Sequence, residues 1–222
     1  VPGAVQISAV LFALIGLGLS YSVARKLPFG RWVIRMVISG LAVSAFFASG
    51  VGMLKYVADP VSQLQEMTFW MLGGLQGVTW PRTVSLLPVT LPGLLLLYLF
   101  RWRLNVLSLD DLTAFSIGAN PGRERILLLL AASMATAGVT AVAGIVGWVG
   151  LLVPHVARRF YGSDGSRVLP ASLLMGAIMV VVCDDIARTA LVYEIPLGIL
   201  TSLLGASLFL MLLASGGVRF RR

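Results

Sequence analysis

Apolar residues in this chain come in long blocks, and the charged residues collect between them. Residues 36–54, 83–100, 126–153 and 195–218 contain no Asp, Glu, Lys or Arg, and neither do the first 24. A helix needs about 20 mostly apolar residues to cross the hydrocarbon core of a bilayer. Strand-length alternation does not recur, which argues against a membrane barrel. The pattern predicts seven hydrophobic spans, at about 6–24, 32–56, 83–100, 126–143, 147–160, 169–191 and 199–213. The fifth is short. Between the second and third lies DPVSQLQEMTFWMLGGLQGVTWPR, residues 59–82. Its apolar patch at 67–75 is too short and glycine-broken to span, and Trp70 and Trp80 suit an interfacial belt. It predicts a short helix on the membrane surface or a re-entrant turn.

Composition supports lipid as the solvent for these blocks. The chain is 58% hydrophobic and 12% charged, whereas a soluble domain averages about 25% charged residues. A water-soluble globule of 222 residues has no place to hide that much apolar surface. The expected class is an all-α polytopic membrane protein of about seven transmembrane helices.

Charge placement gives an orientation. The net charge is +8, but the basic residues sit in short clusters between apolar runs rather than along one polar face, which argues against nucleic acid as a partner. Arg25, Lys26, Arg31 and Arg35 lie between the first two spans, and Arg101, Arg103, Arg123 and Arg125 between the third and fourth. Arg158, Arg159 and Arg167 follow the fifth, and Arg219, Arg221 and Arg222 close the chain. With alternating spans all of these fall on one side, and only Lys55, Arg82 and Arg188 on the other. The strongly basic side is expected to be cytoplasmic, with the C-terminus inside and Val1 outside. The opening VPGAVQIS lacks an initiating Met and a basic leader, which leads us to expect the C-terminal part of a longer protein, or a truncated one.

Candidate chemistry is sparse. One histidine cannot build a His-rich metal site, and no HExxH, phosphate-binding lysine loop or nucleophile elbow occurs. The single Cys183 lies in an apolar run and reads as a small core residue. Asp184 and Asp185 are adjacent, so on a helix they point about 100° apart, poor geometry for a carboxylate dyad. They read as the hydrated outer end of the sixth span. Two segments stand out. In RLNVLSLDDLTAFSIGANPGRER, Ser108 is expected to cap a helix with Asp110 and Asp111 at its positive end. Leu109, Leu112, Ala114, Phe115 and Ile117 give that helix a short apolar face; Gly118 stops it, and NPGRER is expected to start a second short helix. Such a face either lies on lipid or docks in a partner's groove. In AGVTAVAGIVGWVG, Gly138, Gly144, Gly147 and Gly150 allow close helix packing or a break in the helix.

Several motifs in one order carry a resemblance. GWVGLLVPHVARRF, then GSDGSRVLP, then CDDIAR, EIPLGILT and GASLF resemble the C-terminal half of the FecCD-type permeases, the membrane subunits of bacterial ATP-driven importers for iron-siderophores, haem and cobalamin. FWMLGGL at 69–75 and LNVLSLDD...SIGANPGRER match further landmarks. Two local departures are CDD in place of an A-D-T-like triplet, and Ser207 where a proline is usual. The resemblance implies the last seven helices of a ten-helix permease fold, a single transmembrane domain over 1–222 lacking the N-terminal three helices, with a short outer surface helix and cytoplasmic coupling helices.

The same resemblance implies partners and sites. It implies a bacterial inner-membrane subunit that is not itself an enzyme and needs no cofactor or metal, with ATP hydrolysis on a separate cytoplasmic ATPase subunit. A periplasmic or lipid-anchored substrate-binding protein, a second permease copy and membrane lipid complete the partners. Leu109, Leu112, Phe115, Gly118 and Pro121 would couple to the ATPase. His155, Arg158 and Arg159 would anchor the inner face near it. Arg188 and Glu194 would meet the binding protein, with an internal Arg188–Asp184 pair as the competing use of that arginine. Gly40, Ser44, Ser49 and Gly50 of the second span would line the path. The alternatives are an ion-gradient-driven secondary transporter, which usually carries mid-membrane charge, and a non-functional truncated permease.

Overall fold

A computed structural model describes residues 2–191 and 193–214 of the chain. Arg219, Arg221 and Arg222 of the expected basic C-terminus lie outside the described residues. Among the described residues ten helices occur in order: α1 (Pro2–Lys26), α2 (Trp32–Val57), α3 (Gln63–Met71), α4 (Trp80–Leu99), α5 (Arg103–Leu107), α6 (Asp111–Ser116), α7 (Pro121–Ala143), α8 (Val149–Tyr161), α9 (Gly165–Thr189) and α10 (Leu197–Ala214). No strand is found among the described residues. Five helices, α1, α2, α4, α7 and α9, are long and apolar enough to cross a membrane. The other two expected spans are shorter: α8 has 13 residues and α10 has 18. At 1.5 Å per residue α8 is only about 20 Å long. Each expected span contains a helix, and among the described residues five have clear spanning length, α10 running to the last of them.

Two corrections concern the segment between α4 and α7. Ser108 does not start a helix. It closes α5, its hydroxyl donating to the Asn105 carbonyl at 2.6 Å, and Asp110 takes the N-cap position of α6. Ser and Asp are comparable caps; α5, which the pattern did not predict, uses Ser108 at its own end. NPGRER does not form a separate short helix either. Asn120 accepts from the Arg123 N–H at 3.2 Å, and Pro121 opens the 23-residue α7. Proline suits that first position because its missing N–H would have no intrahelical partner. Upstream, the 59–82 segment holds the short helix α3 at 63–71, and a turn at Gly73 follows it.

The helices fall into two compact units. The first holds α1, α2 and most of α4 and α7. Its α1–α2 hairpin packs Phe12 edge-on to Phe47 at 6.4 Å between ring centroids and Tyr21 against Trp32 at 5.3 Å. Gln6 donates to the Ser85 hydroxyl at 2.8 Å, joining α1 to α4. Gly93 and Gly138 let α4 and α7 approach closely, with Ala131 and Ala135 facing the first and Thr90 the second. Pro88 and Pro92 lie inside α4, where each removes one intrahelical donor.

The second unit comprises 69–78, 98–124 and the chain from 143 onward. Here the helical path breaks between α7 and α8, and backbone groups pair across the break. Gly74 N–H donates to the Ala143 carbonyl at 2.8 Å, and Gly198 N–H to the Leu72 carbonyl at 3.0 Å. Gly144 adopts φ +67°, and a Cβ there would run into the Trp70 carbonyl and Gly73. A Cβ on Gly198 would strike the carbonyls of Leu72 and Ile145. Three chain segments thus meet backbone to backbone. Trp148 begins α8 at φ +66°, with Val149 N–H bonded to the Gly147 carbonyl at 2.8 Å. A bulky residue at positive φ is strained. Its ring packs on Phe209 at 5.8 Å and over Gly205 of α10, where no side chain has room. Of the four glycines read as packing or break points, Gly138 packs and Gly144 breaks. Gly147 sits by Ser202, and Gly150 faces open space.

The glycine contacts generate a first prediction. Gly144→Ala combines a positive φ with a blocked Cβ and should destabilise the protein by more than about 1 kcal/mol. Gly18→Ala in α1, where nothing lies within 4 Å of an added Cβ, should be neutral or stabilising. Thermal unfolding of both variants in one detergent checks the contrast.

Candidate functional site

The second unit gathers most of the residues that the sequence singled out. Leu109 precedes α6, and Leu112 and Phe115 lie on it; Leu112 is 82% exposed and Phe115 70%. Ala114 and Ala119 are buried beneath them. The six-residue α6 therefore uses small residues to sit on the unit and turns large apolar ones outward. Gly118 ends it at φ +83°, a conformation that costs glycine little. Pro121 is buried at the start of α7.

Helix α5 holds this segment at two points. Arg103 approaches Glu124 in the first turn of α7 at 3.6 Å. Asn105 makes a two-way contact with the start of α9: its amide N–H donates to Asp164 Oδ1 at 2.7 Å, and its Oδ1 accepts from the Gly165 N–H at 2.6 Å. Asp164 is the N-cap of α9, accepting also from the Ser166 N–H at 3.0 Å and from its hydroxyl at 2.7 Å. Hydrogen bonds from Asn105 first, then from Ser166, with the charge of Arg167 as a smaller help, hold the Asp164 carboxyl below its ordinary value. A carboxylate that accepts several hydrogen bonds is favoured in its charged form. Sequence reasoning missed both Asn105 and Asp164. The Asp-Gly-Ser start of α9 is a legible capping signal, but the partner lies 59 residues away.

The two arginines of the His-x-x-Arg-Arg run lie in the last turn of α8, where they complement the negative helix end. Both are exposed, whereas His155 is half-buried. Leu152, Val153 and Ala157 form the buried face of α8, which packs along α9. Beside this pair lies a cavity of about 630 Å³, with Asn105, Val153, Arg158, Gly165, Leu169 and Ser172 in its wall. At the other end of α9, Arg188 Nε bonds Asp184 Oδ2 at 2.8 Å, so the internal pair is formed. Asp185 and Glu194 are exposed, and Cys183 is buried as expected. Among the described residues no cluster of three or more His, Cys, Asp or Glu could hold a metal. The expected path residues lie on α2 in the first unit. Ser44, Ser49 and Gly50 are exposed there, and a Cβ on Gly40 or Gly50 would meet nothing within 4 Å.

Helices of spanning length with exposed apolar sides, joined by a short polar-edged segment, define a polytopic helical membrane protein. The chain belongs to the FecCD transport family, whose pattern matches residues 2–215. It is similar to the probable iron chelatin transport system permease protein of Helicobacter pylori, at 40% identity over 185 residues, covering 83% of this chain and 56% of that protein. It is also similar to the hemin transport system permease protein HmuU of Yersinia pestis, at 32% identity over 216 residues, covering 95% of this chain and 60% of that one. Among solved structures, one described as a metal-chelate type ABC transporter in an inward-facing conformation superposes with a TM-score of 0.85 at 30% identity, covering 93% of this chain and 65% of that chain. The chain thus spans somewhat under two thirds of the length of these relatives.

The charged state of Asp164 yields a second prediction. Its folded value is depressed, so its contribution is complete above the ordinary carboxylate value of 3.8 and is lost as pH falls through the lower folded value. The melting-temperature gap between wild type and Asp164→Ala should stay level between about pH 5 and pH 7 and narrow below that. Thermal scans across this pH range measure it.

Proposed function

We propose that the chain is the membrane-spanning part of a binding-protein-dependent, ATP-driven importer for a metal chelate such as an iron-siderophore, haem or cobalamin. It supplies the path, and a separate cytoplasmic ATPase subunit supplies the hydrolysis. The observation that carries this reading is α6: a six-residue helix on a firm base, with Leu112 and Phe115 turned outward. A helix of that length gains little by lying on lipid alone, and its apolar side suits a groove in a partner. Family membership and the iron-chelatin and hemin relatives support the cargo class.

In this reading the loops after α1, between α4 and α7, and after α8 face the cytoplasm of a bacterial inner membrane, as does the C-terminus. Two permease copies enclose a path along α2, near Gly40, Ser44, Ser49 and Gly50. Closure of the ATPases moves Leu109, Leu112, Phe115, Gly118 and Pro121, and the membrane helices tilt in response. His155, Arg158 and Arg159 anchor the inner face. The ion-gradient alternative gains no support from the charged residues of the five long helices, which sit within about a turn and a half of a helix end.

Phe115→Asp tests the coupling role. A charge placed in a docking groove is desolvated, at a cost of several kcal/mol, so ATPase association and uptake should collapse while the protein still inserts. Normal association and uptake in this variant would show that α6 is not the coupling surface.

Arg188 and Glu194 are proposed to meet the binding protein at the outer face. Arg188 keeps its Asp184 pair at 2.8 Å, yet its side chain is 42% exposed and so remains open to a second acidic partner. The contribution is salt-screened, about 1 kcal/mol or less. Arg188→Glu should weaken binding-protein affinity for the assembled transporter more than Arg188→Ala, and high salt should shrink the difference. Equal affinities for all three proteins at low salt would leave Arg188 with its internal pair alone.

A further inference from the structure

The contact between Asn105 and Asp164 is the polar part of the packing of α5 against the start of α9. On one side is the five-residue α5, which leads through Ser108 into the exposed apolar face of α6. On the other are the N-cap and first residue of α9, a helix of 25 residues and about 37 Å. The far end of α9 carries the Asp184–Arg188 pair. The joint is two-way. Asn105 donates to the N-cap carboxylate and accepts from the next backbone N–H, so its amide cannot flip without losing both bonds. Because Asp164 also caps α9, a pull on Asn105 acts on the helix backbone itself rather than on a flexible side chain. The fit is tight: a Cβ on Gly165 would lie 3.0 Å from Asn105 Oδ1 and 3.0 Å from the Leu104 Cβ. On its opposite side α5 meets α7 through the longer Arg103–Glu124 pair at 3.6 Å, with the arginine half-exposed.

We propose that Asn105 is a positioning residue for coupling: by clamping α5 to Asp164 and Gly165 at the N-terminus of α9, it passes displacement of α6 to α9 and so to the opposite membrane face. This rests on the ATP-driven reading given above. The family motif around Asp164 then has a mechanical sense. Aspartate both caps α9 and receives Asn105, and the glycine next to it leaves room for α5 to lie close. Without the clamp, motion of α6 is absorbed by the turn at Ser108.

The test uses the full-length permease assembled with its ATPase in lipid nanodiscs, with magnesium ATP and orthovanadate as the probe. Hydrogen–deuterium exchange is read at residues 186–189, the last turn of α9, alongside the rate of ATP hydrolysis. In the wild type, trapping should change exchange at that turn. Asn105→Asp sets a carboxylate against Asp164, and Gly165→Ala wedges α5 away while leaving both polar side chains in place. Each should shrink the response by roughly threefold to tenfold, the effect of losing one well-made hydrogen bond, at unchanged hydrolysis. The reciprocal exchange Asn105→Asp with Asp164→Asn restores a donor, an acceptor and a cap, and should recover the response. Full responses in both single variants, or no recovery in the exchange, would overturn the clamp while leaving ATP-driven transport intact. A wild type whose α9 ignores the trapped nucleotide would overturn the ATP-driven reading, and the clamp with it.

Discussion

A chain dissolved in lipid has no water to satisfy its backbone, so every interruption of a helix must find partners inside the protein. That constraint governs the second unit. The break between α7 and α8 leaves the Ala143 carbonyl without a helical donor, and Gly74 supplies one. The start of α10 leaves an N–H to place, and Gly198 gives it to Leu72. With the break held in this way, α8 can be a short helix laid along α9, and its buried Leu152–Val153–Ala157 face sets where both helices present their polar ends. The strained Trp148 is the cost of turning the chain so sharply, and Phe209 and Gly205 hold it in place.

The polar ends of α8 and α9 then form the base for the segment between α4 and α7. Arginines stand at the close of α8, an aspartate at the opening of α9, and an asparagine on α5 reaches that aspartate. The base is polar and hydrogen-bonded, while α6 above it is apolar and open. This division of labour separates the fixing of the segment from its recognition. Hydrogen bonds fix α5 against the start of α9, and the exposed apolar area of α6 is kept for whatever covers it.

The sequence made the long helices legible because their signal is cumulative: twenty apolar residues in a row leave little choice. It made the exposed side of α6 legible as well, since Leu109, Leu112 and Phe115 recur at helical spacing. Helix ends were harder. Ser108, Asp110 and Asp164 are all competent caps, and only neighbouring chain decides which helix each serves. The clamp was out of reach, because Asn105 and Asp164 lie 59 residues apart and neither is unusual in its own surroundings. The same holds for Gly198, which looks like one more small residue in an apolar run until Leu72 and Ile145 are brought against it. Family resemblance marked several of these positions without saying why they matter, and the contacts give the reason.

The partners of those glycines are carbonyl oxygens of Trp70, Leu72 and Ile145, and every residue type carries a carbonyl. These contacts do not involve the three side chains, whereas at Gly144 and Gly198 the smallest possible change already adds the offending carbon. A fold locked in this way decouples architecture from composition. That is consistent with a relative of 30% identity superposing at a TM-score of 0.85: contacts made by backbone atoms hold the skeleton whatever side chains surround it.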